Sequence, residues 1–167
     1  ALYGVPTMFI AELDHPDIAQ FNLTSLRTGV MAGAPCPIEI MRQVIDAMHC
    51  RHMVVVYGQT EASPGITSSH VDDDLETRCT TVGCALPETE VRIVSPTGET
   101  LPAGEQGELL ARGYMVMKGY DDEPEATAQA VDADGWLHTG DLALMRPDGY
   151  FKITGRARDM IIRGGEN

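Results

Sequence analysis

The sequence predicts an α/β fold: a parallel α/β layer followed by a small antiparallel, β-barrel-like subdomain. Three observations carry this. Residues 25–57 run strand, helix, strand, the pattern of a parallel unit with a helical crossover. From about residue 86 the texture changes to short alternating strands separated by Pro/Gly turns, the signature of antiparallel sheets and barrels. The chain has 167 residues, enough to bury a core in one domain or two small subdomains.

In order, PTMFIAEL (6–13) opens with proline where a helix can start and continues apolar at helical spacing. SLRTGVMAG (25–33) reads as a strand ending in glycine. PCPIEIMRQVIDAMH (35–49) is the clearest helix, with Ile38, Met41, Val44, Ile45 and Met48 on one stripe. MVVVY (53–57) is a continuous apolar run of strand length, as expected of a strand covered on both faces. TEVRIVS, GELLAR, WLHTGDLALM and YFKITGR follow as strands, punctuated by SPTGE, LPAGEQG and RPDG, with one short helix in EPEATAQAV. The expected organisation is an α/β subdomain over 1–85, a small β subdomain over 86–154, and a hinge with the start of a further domain over 155–167.

Composition narrows the function. A net charge of −13 argues against nucleic acid, which needs clustered Lys and Arg. It leaves room for a mononucleotide held by backbone N–H groups, an aromatic ring and a metal ion. No apolar run approaches membrane-spanning length. The four cysteines include no CxxC pair, so free thiols in a reducing, cytoplasmic setting are expected. His49, Cys50 and His52 match no zinc spacing and read as the end of a helix. Asp72-Asp73-Asp74 reads as a solvated loop. The chain lacks an initial Met and stops at IIRGGEN, so it reads as an excised piece of a longer protein.

Chemistry concentrates where strands end. In parallel α/β sheets ligands sit beyond the carboxyl ends of the strands, and VVVYGQTE (54–61) places its polar residues there. Gly58 lets backbone approach a ligand, and Tyr57 offers a ring for stacking on a base. Thr60 can donate to a phosphate oxygen, and Glu61 is the hard oxygen ligand that Mg²⁺ prefers. MAGAP (31–35) ends another strand in a small loop. HTGDLA (138–143) presents Asp141, a carboxylate of the kind that grips ribose hydroxyls. GRARDMIIRGGEN (155–167) adds Arg156 and a glycine pair.

The ordered set GVPTMF, MAGAP, YGQTE, GELLARGYMVMKGY, GWLHTGD and GYFKITGRARDMIIRGGEN resembles the adenylate-forming (AMP-binding) superfamily of acyl-CoA synthetases, luciferases and peptide-synthetase adenylation domains. The ending is most similar to the fatty acyl-CoA ligase branch, especially its medium-chain members. The resemblance implies that the chain is the C-terminal part of a large N-terminal domain. It implies that Gly33, Ala34 and Pro35 line the adenine and the inner end of the acyl pocket. Tyr57 would stack on adenine, framed by Gly58 and Gln59. Thr60 would hold the α-phosphate and Glu61 the Mg²⁺; Asp141 would accept the ribose hydroxyls, and Arg156 would contact the ribose from the far side. Arg158 falls at the hinge position, where the family more often has Asp or Lys. Gly164 and Gly165 would line the pantetheine channel.

The implied cofactors and substrates are ATP/AMP, Mg²⁺, CoA and a small-molecule carboxylate. The implied chemistry is acyl-AMP formation followed by attack of the CoA thiol, with the family's phosphate loop upstream of this chain and its catalytic lysine downstream. Val5, Pro6, Thr7 and Met8 suggest an apolar acid. Two rival readings are an aryl or amino-acid adenylating enzyme that loads a carrier protein, and a non-catalytic nucleotide-binding module.

Overall fold

The structure, a computed structural model, describes residues 1–157. It begins with strand β1 (Leu2–Gly4), helix α1 (Pro6–Leu13), strand β2 (Thr28–Ala32), helix α2 (Ile38–Ala47) and strand β3 (His52–Gly58). The three strands pair in parallel, with Gly29 opposite Met53 and Met31 opposite Val55. The two helices supply the crossovers that parallel neighbours require. Strand β4 (Gly65–Ser68), helix α3 (Leu75–Thr80) and strand β5 (Cys84–Ala85) complete a five-stranded sheet, with β4 and β5 antiparallel.

The helix expected over 35–49 starts later, at Ile38, because Pro37 is its extended N-cap and the residue before a proline is steered away from helical geometry. Of the expected stripe, Met41, Val44 and Met48 are buried and Ile45 packs beside them, while Ile38 begins the helix and stays 40% exposed. Phe9 of α1 joins these side chains against Met31, Met53 and Val55. Burial of each such side chain contributes about 1.5–3 kcal/mol, and the flexible methionines fill the gaps between helix and sheet. The expectation that 53–57 is covered on both faces needs correction. Met53 and Val55 are buried under the helices, but Val54 and Val56 are only half-buried, because no helix among the described residues covers their face.

The second sheet is antiparallel throughout, as the alternating pattern predicts. Strands β6 (Thr89–Val94), β7 (Gln106–Gly113), β8 (Leu137–Met145) and β9 (Phe151–Arg156) pair in chain order, and helix α4 (Pro124–Ala130) lies between β7 and β8. Leu109, Ala111, Leu137, Ala143 and Phe151 share one core with Ile66 of β4 and Ala62 of the turn before it. The sheets are also stapled through backbone. Val82 N–H donates to Phe151 O and Phe151 N–H to Gly83 O, both at 2.8 Å. Gly83 has φ +78°, and a Cβ there would lie 1.9 Å from the Ser68 carbonyl, so only glycine fits. Arg92 and Arg112 both stack on the ring of Trp136, at 4.0 and 4.5 Å from its centroid, and Arg112 forks onto Glu90.

The acidic run 72–74 is not simply a solvated loop. Asp74 caps α3 by accepting from Thr77 N–H at 2.7 Å, and Asp73 accepts from His70 N–H and from the Tyr150 hydroxyl. His49 lies past the end of α2 with φ +60°, and Cys50 beside it is fully buried in the first core. Among the described residues no helix is long and apolar enough to cross a membrane.

Candidate functional site

Three parallel strands deliver their carboxyl ends to one edge of the first sheet, and a cavity of about 730 Å³ opens there. Gly4 and Val5 reach it from the end of β1, Ala32 and Gly33 from β2, and Gly58, Gln59, Thr60 and Glu61 from β3. The second sheet closes the other side with His138, Thr139 and Arg156. The volume lies within the range of small-molecule and cofactor sites.

Local irregularities aim these residues. β3 loses register with β4 after Tyr57, and Gly58 comes so close to Pro64 that a Cβ would lie 1.8 Å from its carbonyl oxygen. The glycine is therefore demanded by the protein's own backbone as well as by any ligand. After it, Thr60–Ala62 form one 3₁₀ turn whose Ala62 is sealed into the second core, which fixes the outward Thr60 and Glu61. On β8 a bulge between the Glu108 and Leu110 pairings inserts extra residues opposite β7. Its backbone is satisfied by side chains. Gly140 N–H donates to Glu108 Oε1 at 3.1 Å, and Thr139 Oγ1 accepts from Asp141 N–H while donating to Leu109 O.

That bulge turns Asp141 inward, to 3% exposure. Its Oδ2 accepts from the Tyr57 hydroxyl at 2.6 Å and its Oδ1 forms an ion pair with Arg156, 2.8 Å from Nε. Residues 57, 141 and 156, far apart in sequence, thus form one network, with Arg156 in the cavity wall and Tyr57 and Asp141 behind it. Burial, then the Asp141 charge, pushes the Tyr57 phenol far above its ordinary range, so it stays a proton donor. Each Asp141 oxygen accepts one bond here and has lone-pair capacity for another.

Glu61 has its own partner. The Tyr120 hydroxyl donates to Glu61 Oε1 at 2.7 Å, and Met117 N–H donates to the Glu61 carbonyl at 2.7 Å. The bond to Glu61, with burial second, raises the Tyr120 phenol. Glu61 Oε2 accepts nothing among the described residues. No cluster of three or more His, Cys, Asp or Glu stands near it among those residues either. A single open carboxylate oxygen beside a hydroxyl suits Mg²⁺, which keeps most of its shell as water and substrate phosphate.

The structure therefore brings Gly33, Gly58, Gln59, Thr60, Glu61 and Arg156 to one cavity. Tyr57 and Asp141 stand directly behind it, and Ala34 and Pro35 lie on the loop after Gly33. Arg158, Gly164 and Gly165 lie outside the described residues. Reading the sequence missed Tyr120, His138 and Thr139 as cavity residues, although all three sit inside the motifs GELLARGYMVMKGY and GWLHTGD. His138 is held by Glu108 Oε2 at 3.1 Å from its Nδ1.

Comparison with known proteins places the fold and the sequence in one family. A family model described as "AMP-binding enzyme" matches residues 1–121. A Bacillus subtilis protein, YngI, whose name assigns it to the acyl-CoA synthetases, is 57% identical over 167 residues, 99% of this chain and 30% of that protein. A zebrafish (Danio rerio) protein named "Medium-chain acyl-CoA ligase ACSF2, mitochondrial" is 47% identical over 99% of this chain and 28% of its own length. The chain thus spans about three-tenths of the curated relatives it matches. The anthranilate CoA ligase AuaEII, solved with anthranoyl-AMP, superposes with a TM-score of 0.82 at 30% identity, over 98% of this chain and 31% of that one. With a family model matched over most of its length and this mixed α/β architecture, the chain belongs to the AMP-binding enzyme family.

Proposed function

We propose that the parent protein is an AMP-forming acid–thiol ligase, an ATP-dependent acyl-CoA synthetase acting on a fatty, medium-chain carboxylate, and that this chain forms the cradle for the acyl-adenylate. The observation that carries the reading is the cavity at the carboxyl edge of β1–β3, where backbone-exposing glycines, Thr60 and Glu61 face Arg156 across a space sized for a nucleotide. Names of relatives at 57% and 47% identity support the acyl-CoA branch. Residues 1–85 and 86–154 serve as the two walls, and 155–167 as the link to a further domain.

In this reading Gly33, Ala34 and Pro35 line the adenine, Gly58 and Gln59 frame it, and the Tyr57 ring lies against it with its hydroxyl kept on Asp141. Asp141 accepts the ribose hydroxyls through its remaining lone pairs, and Arg156 holds both that carboxylate and the ribose. Thr60 donates to the α-phosphate. Glu61 offers Oε2 to Mg²⁺, which when bound neutralises phosphate charge. The reaction needs little acid–base chemistry from the protein. The substrate carboxylate attacks the α-phosphorus and expels pyrophosphate, giving a mixed anhydride whose leaving group is AMP. The CoA thiol then attacks the carbonyl and releases AMP. Catalysis rests on alignment and charge stabilisation. Val5 and Met8 line the cavity and offer an apolar wall to the acyl chain. Gly164 and Gly165 guide the pantetheine arm, and Arg158 serves the hinge. We place the protein in the cytoplasm, with no nucleic-acid partner. The activity belongs to the whole parent rather than to this chain alone.

A second reading, an aryl or amino-acid adenylating enzyme, is favoured by one observation, the likeness to a structure holding anthranoyl-AMP. One assay separates them: carboxylate-dependent pyrophosphate release by the full-length parent with acetate, octanoate, palmitate, benzoate and amino acids, with and without CoA. Turnover with octanoate sustained only by CoA is the expected result. Release with an aryl or amino acid that CoA does not sustain favours the second reading. No release with any acid overturns both in favour of a binding module.

A further inference from the structure

The loop between β7 and α4 touches Glu61 twice, through Met117 N–H on its carbonyl and the Tyr120 hydroxyl on its carboxylate, each at 2.7 Å. The loop is itself pinned. Met115 is buried in the core that holds Ala62, so both partners are anchored in the same packing. Tyr120 N–H donates to Thr127 Oγ1 at 2.9 Å, and that hydroxyl donates onward to Glu123 O. Gly119 has φ +153° and packs against Thr127, where a Cβ would come within 2.9 Å of the side chain. Little freedom is left for the backbone that carries the phenol.

A carboxylate at the end of a flexible side chain samples several rotamers, and holding one of them has an entropic cost. The Tyr120 bond occupies one oxygen and leaves the other open to the cavity, which Tyr120 also lines. We propose that Tyr120 is a positioning residue for the divalent cation: its hydroxyl fixes the Glu61 carboxylate so that Oε2 faces the bound nucleotide. This rests on the reading of Glu61 as a cation ligand. Tyr120 acts through Glu61 and takes no part in bond making. Tyr120 is itself 40% exposed, but its bond to Thr127 and the buried Met115 anchor the loop and give the orientation before any ligand arrives, as preorganised sites require.

The test is Mn²⁺ binding to the full-length parent in the presence of ATP, followed by electron paramagnetic resonance of the free ion, with Mg²⁺ as competitor. Tyr120→Phe keeps the ring and removes the hydroxyl. Losing one charge-assisted hydrogen bond predicts an Mn²⁺ dissociation constant raised about five- to tenfold. The bond lies at an exposed position, so the thermal midpoint is expected to fall only slightly. In a Glu61→Gln background the same substitution should change the constant no further, because its route of action is gone. Wild-type binding together with an unchanged constant in Y120F overturns the positioning role alone. A full effect of Y120F in the E61Q background overturns it too, since the phenol then acts elsewhere. Absence of ATP-dependent Mn²⁺ binding in the wild type overturns both this inference and the role given to Glu61.

Discussion

Asp141→Asn tests the network behind the cavity more sharply than deletion, because the replacement has the same shape. Asp141 uses its two oxygens for two donors, and its side chain is only 5% exposed. Asparagine has one accepting oxygen. If that oxygen faces Arg156, which can only donate, the amide NH₂ faces the Tyr57 hydroxyl, which must turn and become the acceptor. Two bonds to an anion become one charge-assisted and one neutral bond. With hydrogen bonds to charged groups at about 1.5–3 kcal/mol and neutral ones at about 0.5–1.5, the difference is about 1–1.5 kcal/mol. The Arg156 side chain is 27% exposed and recovers part of this from water, so about 1 kcal/mol is expected. Tyr57→Phe removes the other end of the same bond and should cost a similar amount. Because both changes break one bond, the double variant should fall short of the sum by about 1 kcal/mol. Urea unfolding of residues 1–167 at pH 7, followed by circular dichroism, measures all three. Strictly additive losses, or a neutral Asp141→Asn, would refute the network as described.

Gly58→Ala forces a methyl to within 1.8 Å of Pro64 O, so the turn carrying Thr60 and Glu61 must shift. A loss of more than about 2 kcal/mol in the same assay is expected for such overpacking, and a loss below about 0.5 kcal/mol would contradict the close approach. The Tyr150 phenol is held up to about 12, first by its hydrogen bond to Asp73 and then by burial. An unfolded tyrosine ionises near 10 and so loses its proton first, which makes this contribution complete below about pH 10 and lost as the pH rises through about 12. Tyr150→Phe should therefore show a shallower decline in stability over that window than the wild type, and equal slopes would remove Tyr150 from the account. Burial pushes the Cys36 thiol up to about 12, and Cys50 is fully buried. Iodoacetamide at pH 8 should modify the half-buried Cys79 and Cys84 well before either, read by peptide mass mapping.

The sequence made the parallel unit legible because its signals were long. A seven-residue strand and a ten-residue amphipathic helix carry their periodicity within themselves. β4, with four residues, and β5, with two, carry none; they are strands only because β3 and Ser68 offer backbone to pair with. α3 is hidden by LETRCT, whose threonines and cysteine form helices weakly, although Asp74 ahead of it is a sound N-cap. The cavity residues at strand ends are readable from VVVYGQTE and HTGD. Their mutual bonds are not, because Tyr57 to Asp141 and Tyr120 to Glu61 depend on bulges in β3, β8 and β9 that shift register. The sequence marks Gly58 as clearance for a ligand, and the structure adds clearance for Pro64.

The backbone staple between Val82–Gly83 and Phe151 bears on how force passes through the molecule. β9 leads from that staple to Arg156, which is itself clamped to Asp141 on β8. A twist applied beyond residue 157 would meet a strand fixed at its beginning by the first sheet and at its end by an ion pair. The two sheets then act as a single abutment. A load entering along β9 therefore reaches both sheets together, and the wall of the cavity is held from both sides. Amide exchange at Val82 and Phe151 would report this stiffness as one shared, slow opening.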